Sequence, residues 1–291
     1  MAYYNGQATS NAELLNILLN YCANHGWLKS ENLLKKNNAA FLFSVNANSD
    51  GITLKAGTDY IGSSLINPSP NTVATDGIPG LPLAIFPVEY FLHITSTEVY
   101  LIYKHSIDVY HWLAFGVTNN NQFWFAASRR WQIGTSWQKI TMLLTGGDSL
   151  YACPAPFWNA GTWQANSGYN SYVYDTELGW APTATIYNDG SSIAYKVPLI
   201  SRAASAWSSE TILIPISCFK VQASSKVSLI CDLQDSRYIR LNNYEPGQII
   251  TLGNDRWVVY PFYKKNTATP DGGVGIDHSG TFGWAIRYDG P

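Results

Sequence analysis

Charge is what this sequence has least of. Only 13% of its 291 residues are Asp, Glu, Lys or Arg, about half the ~25% usual in soluble domains. The 18 basic and 20 acidic side chains leave a net charge of −2. With no basic excess to neutralise phosphates, nucleic acid is not expected as a partner. No apolar run approaches the ~18 residues of a membrane span, so none is expected. Met1-Ala2-Tyr3-Tyr4-Asn5-Gly6 has neither a positive end nor an apolar stretch, so no signal peptide is expected. Cysteine is scarce too: Cys22, Cys153, Cys218 and Cys231 form no Cys-x-x-Cys. They read as reduced thiols packed as small hydrophobes, in a chain folded in a cytoplasm.

Catalytic signatures are just as sparse. The sequence holds no Gly-x-Ser-x-Gly elbow and no Gly-x-x-x-x-Gly-Lys phosphate loop. His105 and His111 flank Asp108, but on extended chain they stand ~20 Å apart, too far for one metal. Asp277-His278 has no third partner nearby. Gly272-Gly273-Val274-Gly275-Ile276-Asp277 is one unit of a calcium repeat that binds only in stacked copies, and reads as a loop. Asp175 and Glu177 share a face if extended, among Tyr172, Tyr174 and Trp180, and carboxylates beside rings suit sugar sites. Two acids that close are equally an ordinary coincidence in a set of 20. No catalytic residue, cofactor or metal is assigned, and the chain is expected not to be an enzyme.

What is present is aromatic and β-forming. Aromatics make up 14%, with 11 Trp and 19 Tyr. One helix is written clearly, over about 11–25: Ser10-Asn11-Ala12-Glu13 is a capping box, Leu14, Leu15, Leu18 and Cys22 recur at helical spacing, and Gly26 stops it. Strands follow at 41–45 and 52–54, then a loop over 56–82 rich in Gly and Pro. Residues 88–94, 99–103 and 109–115 read as a three-stranded meander. Residues 117–182 are loop-heavy. Shorter strands are expected near 183–187, 193–200, 211–216, 227–232, 237–241, 248–252, 256–262 and 282–288, with a loop at 264–280.

The expected fold is therefore mainly β, antiparallel sheets as a sandwich or meander, with one N-terminal helix and long aromatic loops. Three regions share one composite body: 1–150 with the helix and meander, 151–235 as the aromatic middle, and 236–291 as a C-terminal hairpin region. Rings in the middle outnumber the places a core of short strands can offer. Left in water they would exceed the apolar patch a monomer tolerates. Trp158, Trp163, Tyr172, Tyr174 and Trp180 are thus candidate interface or glycan-contact aromatics.

Two stretches carry a resemblance. The first holds Leu81-Pro82-Leu83, Tyr90-Phe91, Val99-Tyr100, Lys104, Tyr110, Phe115-Gly116 and Leu143-Leu144-Thr145-Gly146-Gly147. The second runs through Glu245-Pro246-Gly247, Ile249 to Gly253, Arg256 to Phe262 and Gly283-Trp284-Ala285-Ile286-Arg287. With Gly26-Trp27 after the helix, this order resembles a family of tailed-bacteriophage virion structural proteins; residues 150–230 are unmatched. Asn254 stands where such proteins often have a second Gly, a change that turn chemistry tolerates. The resemblance implies a non-enzymatic, multi-copy tail or baseplate component in the virion, assembled in the host cytoplasm. Its implied partners are other virion proteins and copies of itself. The alternatives are a carbohydrate-binding module that meets host surface glycan, or a head decoration or head-fibre protein.

Overall fold

The computed structural model describes residues 1–46, 49–75, 84–118, 122–131, 139–140, 151–152, 155–157, 170–177, 179–182, 211–221, 227–268 and 279–291. Among the described residues the protein is mainly β, with one helix near its start and sheets that are antiparallel apart from one short two-stranded parallel pair. The central sheet has seven strands in the order Ala2–Ala8, Val88–Ile94, Glu98–Ser106, Val109–Val117, Phe123–Ala127, Ser171–Asp175 and Gly179–Pro182. A six-stranded sheet runs Arg129–Trp131, Thr72–Ala74, Ser49–Gly57, Ala39–Asn46, Leu33–Lys36 and Leu28–Ser30; with the helix it forms the helix side. A five-stranded C-terminal sheet runs Ile214–Val221, Val227–Arg240, Phe282–Arg287, Asp255–Pro261 and Ile249–Leu252.

The inner strands of the central sheet are buried on both faces. Val99, Leu101, Tyr103, Leu113, Phe115 and Val117 join the helix-side core, where Phe115 meets Trp27 at 5.1 Å and Phe41 at 4.9 Å. Their alternates Tyr100, Ile102, Tyr110, Trp112 and Ala114 join a second core under the C-terminal sheet. An antiparallel sheet usually keeps one wet, polar face. Here neither face is wet, which is why the meander reads as unbroken aromatic and aliphatic runs.

The helix spans Asn11–Asn24 and buries Leu14, Leu15, Leu18, Leu19 and Cys22. Ser10 Oγ accepts from Glu13 N at 3.1 Å, while the Glu13 carboxylate accepts from Thr9 N at 2.6 Å. At the other end Trp27 N donates to Cys22 O, and Gly26 takes φ 82°. Ser10→Ala is expected to cost about 1 kcal/mol through the lost cap, read as a lower midpoint in urea.

Several expectations need correction. The stretch 56–82 is not a plain loop: it holds the strands Asp59–Ile61, Ser64–Ile66 and Thr72–Ala74. Gly57 makes this possible, because a Cβ there would sit 2.6 Å from Ile66 O, so the 59–66 hairpin lies flat on the sheet. Ala2–Ala8, read only as the chain's start, is an edge strand on Val88–Ile94. Residues 227–232 and 237–241 belong to one strand, Val227–Arg240, whose ladder with Ile214–Val221 is interrupted between them. The 235/236 boundary therefore falls inside a strand, and Ser171–Asp175 pairs with Phe123–Ala127 across the 150/151 boundary. The strands expected at 183–187 and 193–200 lie outside the described residues. Cys22 and Cys231 are buried and unbridged, and burial pushes the Cys22 thiol up.

Candidate functional site

Of the five candidate aromatics, Trp158 and Trp163 lie outside the described residues. The other three come together at one end of the central sheet, where Ser171–Asp175 pairs with the terminal strand Gly179–Pro182. Tyr174 and Trp180 are register partners, with rings 5.2 Å apart and nearly edge to face. Tyr174 stacks on Phe123 at 4.8 Å, and Tyr172 stacks on Phe125 at 5.3 Å. Trp180 sets its edge against both phenylalanines.

These rings are turned into the protein. Tyr172 is fully buried in the helix-side core, contrary to the expectation that it faces a partner or glycan. Tyr174 and Trp180 are half-buried against the same core. The segment Asn67–Asn71 closes over them: Trp180 Nε1 donates to Asn67 O at 2.8 Å, and Asn71 Nδ2 donates to Tyr172 Oη at 2.9 Å. A sugar platform needs an open ring face, and these faces are largely taken by neighbouring rings.

The nearby acids have structural roles. Asp175 Oδ1 accepts from Glu177 N at 2.8 Å, fixing the turn between the two strands, and Oδ2 accepts from Gln122 Nε2 at 3.0 Å. Glu177 is exposed in that turn, so the two do not share a strand face. The histidine spacing is also corrected. A turn at Ile107–Asp108, with Asp108 at φ 56°, folds one strand back on the other. His105 and His111 therefore stack at 4.4 Å, not ~20 Å apart. His111 Nδ1 lies 2.5 Å from Thr75 O, so that nitrogen carries the proton. Among the described residues no three His, Cys, Asp or Glu gather as a metal site.

One polar centre escaped the sequence altogether. Glu98 is buried where the central sheet meets the C-terminal sheet. In Val227–Arg240 the ladder with Ile214–Val221 skips residues 233–236, which leaves their backbone groups on that side to other partners. Glu98 accepts from Gln234 N at 2.9 Å, Asp235 N at 2.8 Å and Tyr100 Oη at 2.7 Å. Arg237 Nη1 donates to the carbonyls of Leu233, Gln234 and Ser236. The N–H groups of the bulge are thus satisfied by the Glu98 carboxyl and its carbonyls by the Arg237 guanidinium. Burial pushes the Glu98 carboxyl up to about 7, and the three hydrogen bonds restrain that rise. Nearby His93, fully buried beside Tyr3 and Tyr260, is pushed down to about 3 by burial and stays neutral.

The chain matches no protein-family model, and no curated protein matches it. Among the described residues no helix is long and apolar enough to cross a membrane.

Proposed function

We propose that this chain is a non-enzymatic structural protein of a tailed-bacteriophage virion, a multi-copy tail or baseplate component assembled in the host cytoplasm. The observation that carries the reading is the terminal strand of the C-terminal sheet, Ile249–Leu252. It reads Ile-Ile-Thr-Leu, with no charge and no proline, and Ile249, Thr251 and Leu252 are exposed. Free proteins blunt such edges with lysine, proline or a covering segment, because an open edge pairs with other chains. An edge left apolar in a chain this poor in charge suits a surface that a neighbouring subunit covers. The same hairpin lies in the stretch that resembles phage virion proteins. The glycan-binding alternative, as read from the aromatic middle, is weakened by the inward packing of Tyr172, Tyr174 and Trp180.

The test adds charge to the edge. The double variant Ile249→Lys, Thr251→Lys is expected to keep the wild-type circular dichroism. It should sediment as a smaller species than the wild type and drop out of the particle fraction when co-produced with the other virion proteins. A wild-type chain that is monomeric at high concentration, together with unaltered incorporation of the variant, would sink the reading.

A further inference from the structure

The outer face of the six-stranded sheet carries a groove of about 400 Å³. Its inner face supplies Leu34, Phe41, Phe43, Leu54 and Ala56 to the core, so the alternating Leu42, Ser44 and Lys55 point outward and form the floor, with the buried Leu33 and Thr53 beside them. One wall is the turn Glu31-Asn32; the other is the tip of the 59–66 hairpin, Gly62-Ser63. The hairpin is held in place by Thr58 N donating to Ile66 O and by the Lys35–Asp59 ion pair at 2.7 Å.

Three features make this a built site. Glu31 stands at φ 51°, as the first of two residues in the tight turn joining Leu28–Ser30 to Leu33–Lys36. That position favours glycine. A glutamate kept there at a backbone penalty puts a carboxylate on the groove's rim. Secondly, the neighbouring charges are paired: Lys29 donates to Asn20 Oδ1, and Lys35 to Asp59. Glu31 and Lys55, which line the groove, make no side-chain hydrogen bond or ion pair with the described residues. Thirdly, the floor combines the partly exposed Leu42, beside the buried Leu33, with the exposed hydroxyl of Ser44, which Thr53 holds by a hydrogen bond.

We propose that this groove binds an N-acetylated amino-sugar oligosaccharide, with Glu31 and Lys55 as its recognition residues. The single carboxylate and single ammonium balance, which disfavours phosphates and strongly charged chains. An acetamido group matches the rest: its N–H donates to Glu31, its carbonyl accepts from Lys55, and its methyl rests on Leu42. Sugar hydroxyls meet Ser44, Asn32 and Ser63. The volume falls in the range of small-ligand sites and accommodates a short oligosaccharide. A peptide is the poorer occupant, because the groove lies on a sheet face. The backbone of the strands beneath it is already used in the ladder, so it offers side chains and no free strand edge. The proposal is independent of the assembly role, which rests on the C-terminal sheet.

The experiment titrates the full chain with the trisaccharide of N-acetylglucosamine by calorimetry. Saturable binding is expected, weakened about tenfold or more in Lys55→Ala and in Glu31→Gly, as for loss of a charged hydrogen bond. Glu31→Gly suits its turn better than the native residue, so its melting temperature should hold or rise while binding falls. Three results would overturn the proposal: no saturable binding, binding unchanged in both groove variants, or binding lost in Trp180→Ala and kept in Glu31→Gly. Tighter binding of an acetylated peptide than of the trisaccharide would overturn it as well. Sedimentation of the two groove variants should match the wild type, which separates this result from the test of assembly.

Discussion

Trp284→Ala is expected to destabilise the protein by about 3–5 kcal/mol, the usual range for removing a buried tryptophan. Trp284 sits at the centre of the core between the central and C-terminal sheets, 1% exposed. Its ring meets Trp112 at 5.0 Å, Phe262 at 5.5 Å and Tyr100 at 5.6 Å, each nearly edge to face. No neighbour can fill the space, because the backbone beside it is pinned. Gly283 lies so close to Tyr260 that a Cβ would meet that residue's carbonyl carbon at 3.0 Å. Since domains hold together by only about 5–15 kcal/mol, the loss is a large share of the total. Urea unfolding followed by circular dichroism measures it. A change below about 1 kcal/mol would mean that the second core contributes little to holding the sheets together.

The second large effect concerns pH. The Glu98 carboxyl is raised from an ordinary value near 4.5 to about 7 in the folded protein. Between those values the folded chain holds a proton that the unfolded chain has released. This group's contribution to stability is therefore complete below about pH 4.5 and is lost as pH rises through about 7, a swing of order 3 kcal/mol. His93 works in the opposite sense. Its pKa falls from 6.5 to about 3, so its contribution is present above pH 6.5 and is lost as pH falls through about 3. The two slopes oppose each other between about pH 4.5 and 6.5, so the informative quantity is the difference between the wild type and Glu98→Gln. Gln cannot ionise; it keeps one oxygen, for Asp235 N and Tyr100 Oη, and loses the acceptor of Gln234 N, a cost that is the same at every pH. The variant should gain on the wild type as pH rises from 5 to 8, by about 3 kcal/mol in urea unfolding. Parallel curves for the two proteins would show that Glu98 titrates at its ordinary value.

The parts of this fold that were legible in the sequence are those whose signal is local. Ser10, Glu13 and Gly26 mark a helix by spacing alone, and the meander announces itself because each strand is apolar on both faces. Ala2–Ala8 was not legible: Asn5, Gly6 and Gln7 are weak strand formers, and their order comes from pairing with Val88–Ile94. The turn at Glu31 was hidden because glutamate stands where turn chemistry calls for glycine. At the aromatic edge, proximity in sequence grouped Tyr172, Tyr174 and Trp180 correctly. Their direction, however, depends on Asn67 and Asn71, about a hundred positions away. Glu98 gave no signal at all, because its partners Gln234 and Asp235 are separated from it by 136 and 137 positions.

A central sheet covered on both faces also has a history during synthesis. A ribosome making this chain from its N-terminus releases the helix and the strands that cover the first face early. The residues that cover the second, Val258, Tyr260, Phe262, Trp284 and Ile286, come long after it. Until then Tyr100, Ile102, Tyr110 and Trp112 have no lid, and a carboxylate awaits the backbone amides of Gln234 and Asp235. The nascent chain thus carries a sticky aromatic wall until those strands emerge. Its safe arrival depends on the final strands reaching that wall before another polypeptide does.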